Sequence, residues 1–75
     1  MKTDRTIEEL RNSEKILFTE QEVAAKGFAG ARTLRNNRHK GIGIPYVKIG
    51  ARAIRYHRDD LIRWLNSNRI DPNKR

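Results

Sequence analysis

Cysteine is absent from this 75-residue chain, which excludes a disulfide framework and any cysteine-ligated zinc site. Histidine is scarce: His39 and His57 stand alone, too few for a zinc finger. No apolar run approaches the roughly 18 residues of a membrane span, and the opening MKTDRTIEEL has no hydrophobic signal segment. The expectation is a soluble, cytoplasmic protein that does not engage a membrane. Length is limiting as well, since a chain this short buries only roughly 60% of its unfolded surface, leaving little room for a catalytic cleft. Catalytic patterns are missing with it. Neither histidine has a candidate nucleophile beside it, there is no HExxH spacing, and Gly41-Ile42-Gly43 precedes a strand rather than a helix. Asp59-Asp60 falls at a helix start, where capping and dipole complementation account for it. No enzyme activity, cofactor or metal is expected.

Acid is missing from half of the chain. Residues 23–58 carry nine cations, from Lys26 to Arg58, and neither Asp nor Glu, a net of +9. Residues 1–22 hold four basic and six acidic side chains, a net of −2, and residues 59–75 four basic and three acidic, a net of +1. A solvated face interleaves both signs, as the first segment does. Thirty-six residues without acid read as a surface for a polyanion, and a merely soluble basic domain is the bland alternative.

The elements follow from local signals. Thr6-Ile7-Glu8-Glu9 has the form of a capping box and predicts a short helix to about Leu10 or Arg11. With Ile7 and Leu10 as its only apolar residues, this helix is marginal, and residues 1–15 read as an arm. After the apolar run Ile16-Leu17-Phe18 comes a second box, Thr19-Glu20-Gln21-Glu22, with Phe18 and Val23 at staple spacing, predicting a helix from Thr19 to about Lys26. Gly27 stops it, Phe28-Ala29-Gly30 turns, and a polar helix runs from Ala31 to Lys40 on the single strong anchor Leu34. Tyr46 to His57 alternates as a hairpin, with Val47, Ile49, Ile54 and Tyr56 expected to pack on Leu34 and Val23, and with an outward basic face. Leu61, Ile62, Trp64 and Leu65 stripe a last helix, and residues 69–75 form a polar tail. One domain, residues 16–68, of class α+β is expected.

The helix from Ala31 concentrates residue types that read nucleic acid: Arg32, Thr33, Arg35, Asn36, Arg38, His39 and Lys40. Arginine forks match guanine O6 and N7, asparagine matches adenine N6 and N7, and lysine or threonine suits phosphate. A short helix behind a glycine-containing turn and a preceding helix is the order in which a helix-turn-helix presents its recognition helix. Lys48, Arg52 and Arg55 make the hairpin a basic wing beside it, and Thr19, at the start of the first of the two helices, is placed for the DNA backbone. The competing readings are a solvated basic helix and lysine and arginine guarding an edge strand. An RNA-binding module is disfavoured by the lack of exposed aromatics to stack unpaired bases.

Leu17-Phe18-Thr19-Glu20-Gln21-Glu22-Val23-Ala24, Arg32-Thr33-Leu34-Arg35, Gly43-Ile44-Pro45-Tyr46-Val47-Lys48-Ile49-Gly50, Ile54-Arg55-Tyr56 and Asp60-Leu61-Ile62-Arg63-Trp64-Leu65 together resemble the excisionase and AlpA-type winged helix-turn-helix group. That group is related in fold to MerR-type DNA-binding domains. The resemblance covers residues 16–66. It departs where Gly30 stands in place of a capping serine and where Arg35-Asn36-Asn37-Arg38 replaces an Arg-Arg-Trp-like stretch. It implies double-stranded DNA as partner. The job implied is that of an excisionase, a recombination directionality factor that bends DNA so that an integrase, a tyrosine recombinase, can excise a mobile element. An AlpA-like promoter regulator is the alternative, and an adaptor using the acidic 1–22 segment is more remote. A monomer in solution is expected, with neighbouring copies on DNA meeting through that acidic segment and the basic middle.

Overall fold

Two capping devices set the middle of the chain. In the computed structural model, which describes residues 2–68, the Thr19 hydroxyl accepts from the Glu22 amide at 3.1 Å while the Glu22 carboxylate accepts from the Thr19 amide at 2.9 Å. This reciprocal box starts helix α2, Glu20–Ala25. Phe18 and Val23 on either side of it are both buried. Helix α3, Ala31–Lys40, ends where Gly41 enters the left-handed region at φ 74°. The Gly41 amide then donates to the Arg38 carbonyl at 3.1 Å and the Ile42 amide to the Asn37 carbonyl at 2.9 Å, a Schellman closure.

Around these lie helix α1, Lys2–Asn12, strand β1, Leu17–Phe18, strands β2, Val47–Ile49, and β3, Ala53–His57, and helix α4, Arg58–Ser67. The three strands form one antiparallel sheet in the order β1-β3-β2. The described residues are thus a small α+β unit of four helices and three strands. None of these helices is long and apolar enough to cross a membrane. The tail expected at residues 69–75 lies outside the described residues.

The core joins every layer: Leu10, Phe18, Val23, Leu34, Ile44, Tyr56 and Leu61 are buried together, and Ile54, Ile62, Trp64 and Leu65 pack against them. Three expectations change here. Helix α1 begins at Lys2, passes through Thr6 without stopping and packs on α4; Leu10, 1% exposed, belongs to the core and Ile7 is buried beside it. Docking two apolar side chains rewards a longer helix than its local cap defines. The apolar run holds strand β1 at Leu17–Phe18, with Phe18 opposite Tyr56 and Leu17 opposite His57. Arg58 ties the linker between α1 and β1 down, its amide donating to the Ile16 carbonyl at 2.7 Å and its Nη1 to the Ser13 carbonyl at 2.8 Å.

The third change is in the hairpin faces. Val47 pairs with Arg55, Lys48 with Ile54 and Ile49 with Ala53, so three residues, 50–52, make the tip. An odd tip puts Val47 and Ile49 on the same face as Arg55, and Lys48 on the face of Ile54. Val47 and Ile49 are accordingly 41% and 45% exposed rather than packed in the core, and the basic side chains of the hairpin are divided between two faces. Tyr56 and Ile54 carry the inward contacts of the hairpin, and the exposed Tyr46 ring lies 6.4 Å from that of Tyr56.

Candidate functional site

Helix α3 has one anchor and one open side. Leu34 is buried, Asn37 and Arg38 are half-buried beside it, and Arg32, Thr33, Arg35, Asn36, His39 and Lys40 are exposed. Arg32, Arg35, Asn36 and His39 follow i, i+3, i+4, i+7 spacing and so form one stripe turned away from Leu34. Among the described residues, Arg32, Arg35 and Lys40 enter no ion pair. The face therefore carries cationic charge that no carboxylate neutralises among the described residues. Gly30, the N-cap, supplies no side-chain hydrogen bond, which leaves the first amides of α3 facing outward at the positive end of the helix dipole.

The two glutamates of α2 that follow Thr19 are both committed to partners. Glu22 closes the α2 box and pairs with Lys15, whose ammonium, ahead of the Thr19 amide, holds the carboxyl down to about 2. Glu20 accepts from Arg38 Nε at 2.9 Å and from the Tyr56 hydroxyl at 3.3 Å, both through Oε2. This carboxylate raises the affinity of the Arg38 guanidinium for its proton. Burial, reinforced by Glu20, pushes the Tyr56 phenol up to about 12. The Arg38 guanidinium also lies 5.9 Å from the Tyr46 ring centre. Glu20, Arg38, Tyr46 and Tyr56 thus tie the start of α2, the end of α3 and the hairpin into one cluster.

The residues expected to act together divide into groups. Arg32, Thr33, Arg35, Asn36, His39 and Lys40 share the open side of α3, whereas Arg38 turns inward to Glu20. Lys48 and Arg52 are exposed on the hairpin; Arg55 is half-buried, and its Nη1 donates to the Ile54 carbonyl at 2.7 Å. The Thr19 hydroxyl is taken up by the cap of α2. Sequence spacing does not single out Glu20, Tyr46 and Tyr56 as site-organising residues, because 18 residues separate Glu20 from Arg38 and no local rule links them. His57 has a similar hidden role: its Nδ1 accepts from the Asp59 amide at 3.0 Å and caps α4. Among the described residues no group of three or more His, Asp or Glu is placed to share a metal ion.

Comparison of the chain with protein-family models, with curated proteins and with solved structures returned no match.

Proposed function

We propose that this is a winged helix-turn-helix protein that binds double-stranded DNA, with α3 as the recognition helix, α2 as its supporting helix and the β2–β3 hairpin as the wing. The observation that carries the reading is the open face of α3, where Arg32, Arg35, Asn36, His39 and Lys40 stand exposed with no carboxylate partner among the described residues. Arginine and asparagine at that spacing supply base-edge donors and acceptors, while Lys40, with Lys48 and Arg52 on the hairpin, supplies phosphate contacts. The resemblance of residues 16–66 to excisionases supports one job in particular: bending DNA near an attachment site in the bacterial cytoplasm and lowering the deformation energy an integrase must meet to excise a mobile element. The protein contributes charge and shape, and the chemistry belongs to the recombinase. A promoter regulator would use the same surface.

Neighbouring copies on DNA complete the picture. One module covers a short site, burying roughly 600–1,000 Å² of protein surface, which is thin for selective binding. Glu8 and Glu9, exposed on α1 beside Arg5, offer two carboxylates to the basic face of the next copy. Because Leu10 on the same helix is in the core, charge reversal at Glu8 and Glu9 tests this contact where deletion of the segment would open the core.

The experiment is a gel shift on random and on element-derived duplex across a salt series. With about six phosphates contacted, log K falls against log salt with a slope near about −5. A flat response defeats the polyanion reading. A footprint beside an attachment site identifies the excisionase, and one confined to a promoter identifies the regulator.

A further inference from the structure

Of the nine cations in residues 23–58, two meet a carboxylate from outside that acid-free stretch among the described residues: Arg58 pairs with its exposed neighbour Asp59 at 3.6 Å, and Arg38, on the proposed recognition helix, is hydrogen-bonded to Glu20 at 2.9 Å. The pair is sheltered, with the Arg38 side chain 19% and the Glu20 side chain 13% exposed. It joins the first residue of α2 to the last turn of α3, and Tyr56 donates to the same carboxylate oxygen from β3. A DNA phosphate and the Glu20 carboxylate are rival anions for one guanidinium. The internal one is already in place, desolvated and at hydrogen-bonding distance.

We propose that Glu20 keeps Arg38 off the phosphate backbone, so that Arg38 positions α3 against the hairpin and adds nothing to sequence-independent affinity. The inference rests on the duplex-binding reading above and assigns Glu20 as a specificity-determining residue of that surface. A neutralised pair gives a phosphate no net attraction and releases no counterion, whereas a freed guanidinium on the same helix would raise affinity for every sequence alike. Discrimination between a specific site and random DNA then depends on a residue that touches no DNA.

Four proteins test it: the wild type, Glu20→Gln, Arg38→Gln and the double variant, each measured for random-duplex affinity over a salt series after its fold is checked by circular dichroism. Freed from Glu20, Arg38 should steepen the slope by about 0.9 and strengthen random binding roughly five- to tenfold near 0.1 M salt. Arg38→Gln alone should leave the wild-type slope unchanged, and the double variant should return to it.

Steepening of equal size in the Arg38→Gln background would mean that Glu20 acts only through net charge, and would overturn the proposal. So would a slope shallower by about 0.9 in Arg38→Gln alone, because Arg38 would then already sit on a phosphate. Both outcomes leave duplex binding by the wild type intact. Loss of salt-dependent binding in the wild type itself defeats the earlier reading and this one with it. A measurement on the unaltered protein guards against poorly folded variants: during DNA titration the Arg38 Nε–H resonance should hold its position while that of Arg35 moves. Movement of both together would overturn the proposal.

Discussion

Replacing Leu10 by alanine separates a docked helix from a loose arm. Leu10 is 1% exposed and lies among Phe18, Val23, Leu34, Tyr56 and Leu61. Removal of its branched end withdraws three carbons from a dry, close-packed site. At about 0.8 kcal/mol per carbon the transfer contribution alone is about 2.4 kcal/mol. The residual cavity adds to this, and Leu→Ala changes in cores span about 2–5 kcal/mol. A chain of 75 residues has a total stability of about 4–11 kcal/mol, so the variant should lose from about a fifth to all of it. With a urea m-value of about 1 kcal/mol/M for so small a protein, the unfolding midpoint should drop by at least about 2 M. Glu9→Ala, one residue away and exposed, should stay within about 0.5 kcal/mol of the wild type. The assay is urea denaturation followed by circular dichroism for all three proteins. A Leu10→Ala midpoint indistinguishable from that of Glu9→Ala would refute the assignment of α1 to the core and restore the arm.

Gly43→Ala should cost about 2–3 kcal/mol in the same assay, because φ is +89° and a new Cβ would stand 3.0 Å from Asn37 Cβ; a loss below about 0.5 kcal/mol would mean that the loop yields freely. The Lys15 ammonium and the Thr19 amide hold the Glu22 carboxyl down from 4.5 to about 2, so its stabilisation is complete above about pH 4.5 and fades toward pH 2. Thermal melts should show this fall, and Glu22→Gln should flatten it; equal slopes in the two proteins would count against the pairing. Tyr56 is raised from 10.0 to about 12, so stability is intact below about pH 10 and is lost as the pH climbs toward 12. Ultraviolet titration of a Tyr46→Phe background should find Tyr56 ionising together with unfolding, and ionisation near pH 10 with the fold intact would contradict its burial. Arg35→Ala and Asn36→Ala should each weaken specific binding by about 1–3 kcal/mol while sparing random duplex; equal weakening on both DNAs would reassign these residues to phosphate.

What was legible in the sequence is what local chemistry decides. The Thr19–Glu22 box, the stop at Gly41 and the Leu61 stripe each act within one or two turns, and α2, α3 and α4 lie where those signals put them. The open side of α3 was legible for the same reason, since a helix with Leu34 as its one strong anchor exposes most of its remaining residues. What escaped depends on distant partners. Two apolar residues make a poor helix alone, and only α4 and the core make α1 worthwhile. Strand β1 has two residues, and its identity comes from β3, about forty positions later. Arg38 looks like its neighbours Arg32 and Arg35 until Glu20 is brought to it.

The three-residue hairpin tip has a consequence for insertions and deletions. Removing or adding one residue among positions 50–52 would re-pair every side chain of β2 with the opposite face of β3. Val47 and Ile49 would turn toward the core while Tyr46 and Lys48 changed to the opposite face, breaking the tilted ring contact of Tyr46 with Tyr56 and its contact with Arg38. Two residues added together would leave every side chain on its present face and merely lengthen the loop. The hairpin should therefore accept changes of length in steps of two and reject single ones, so that its reach can grow without disturbing the packing that orients it.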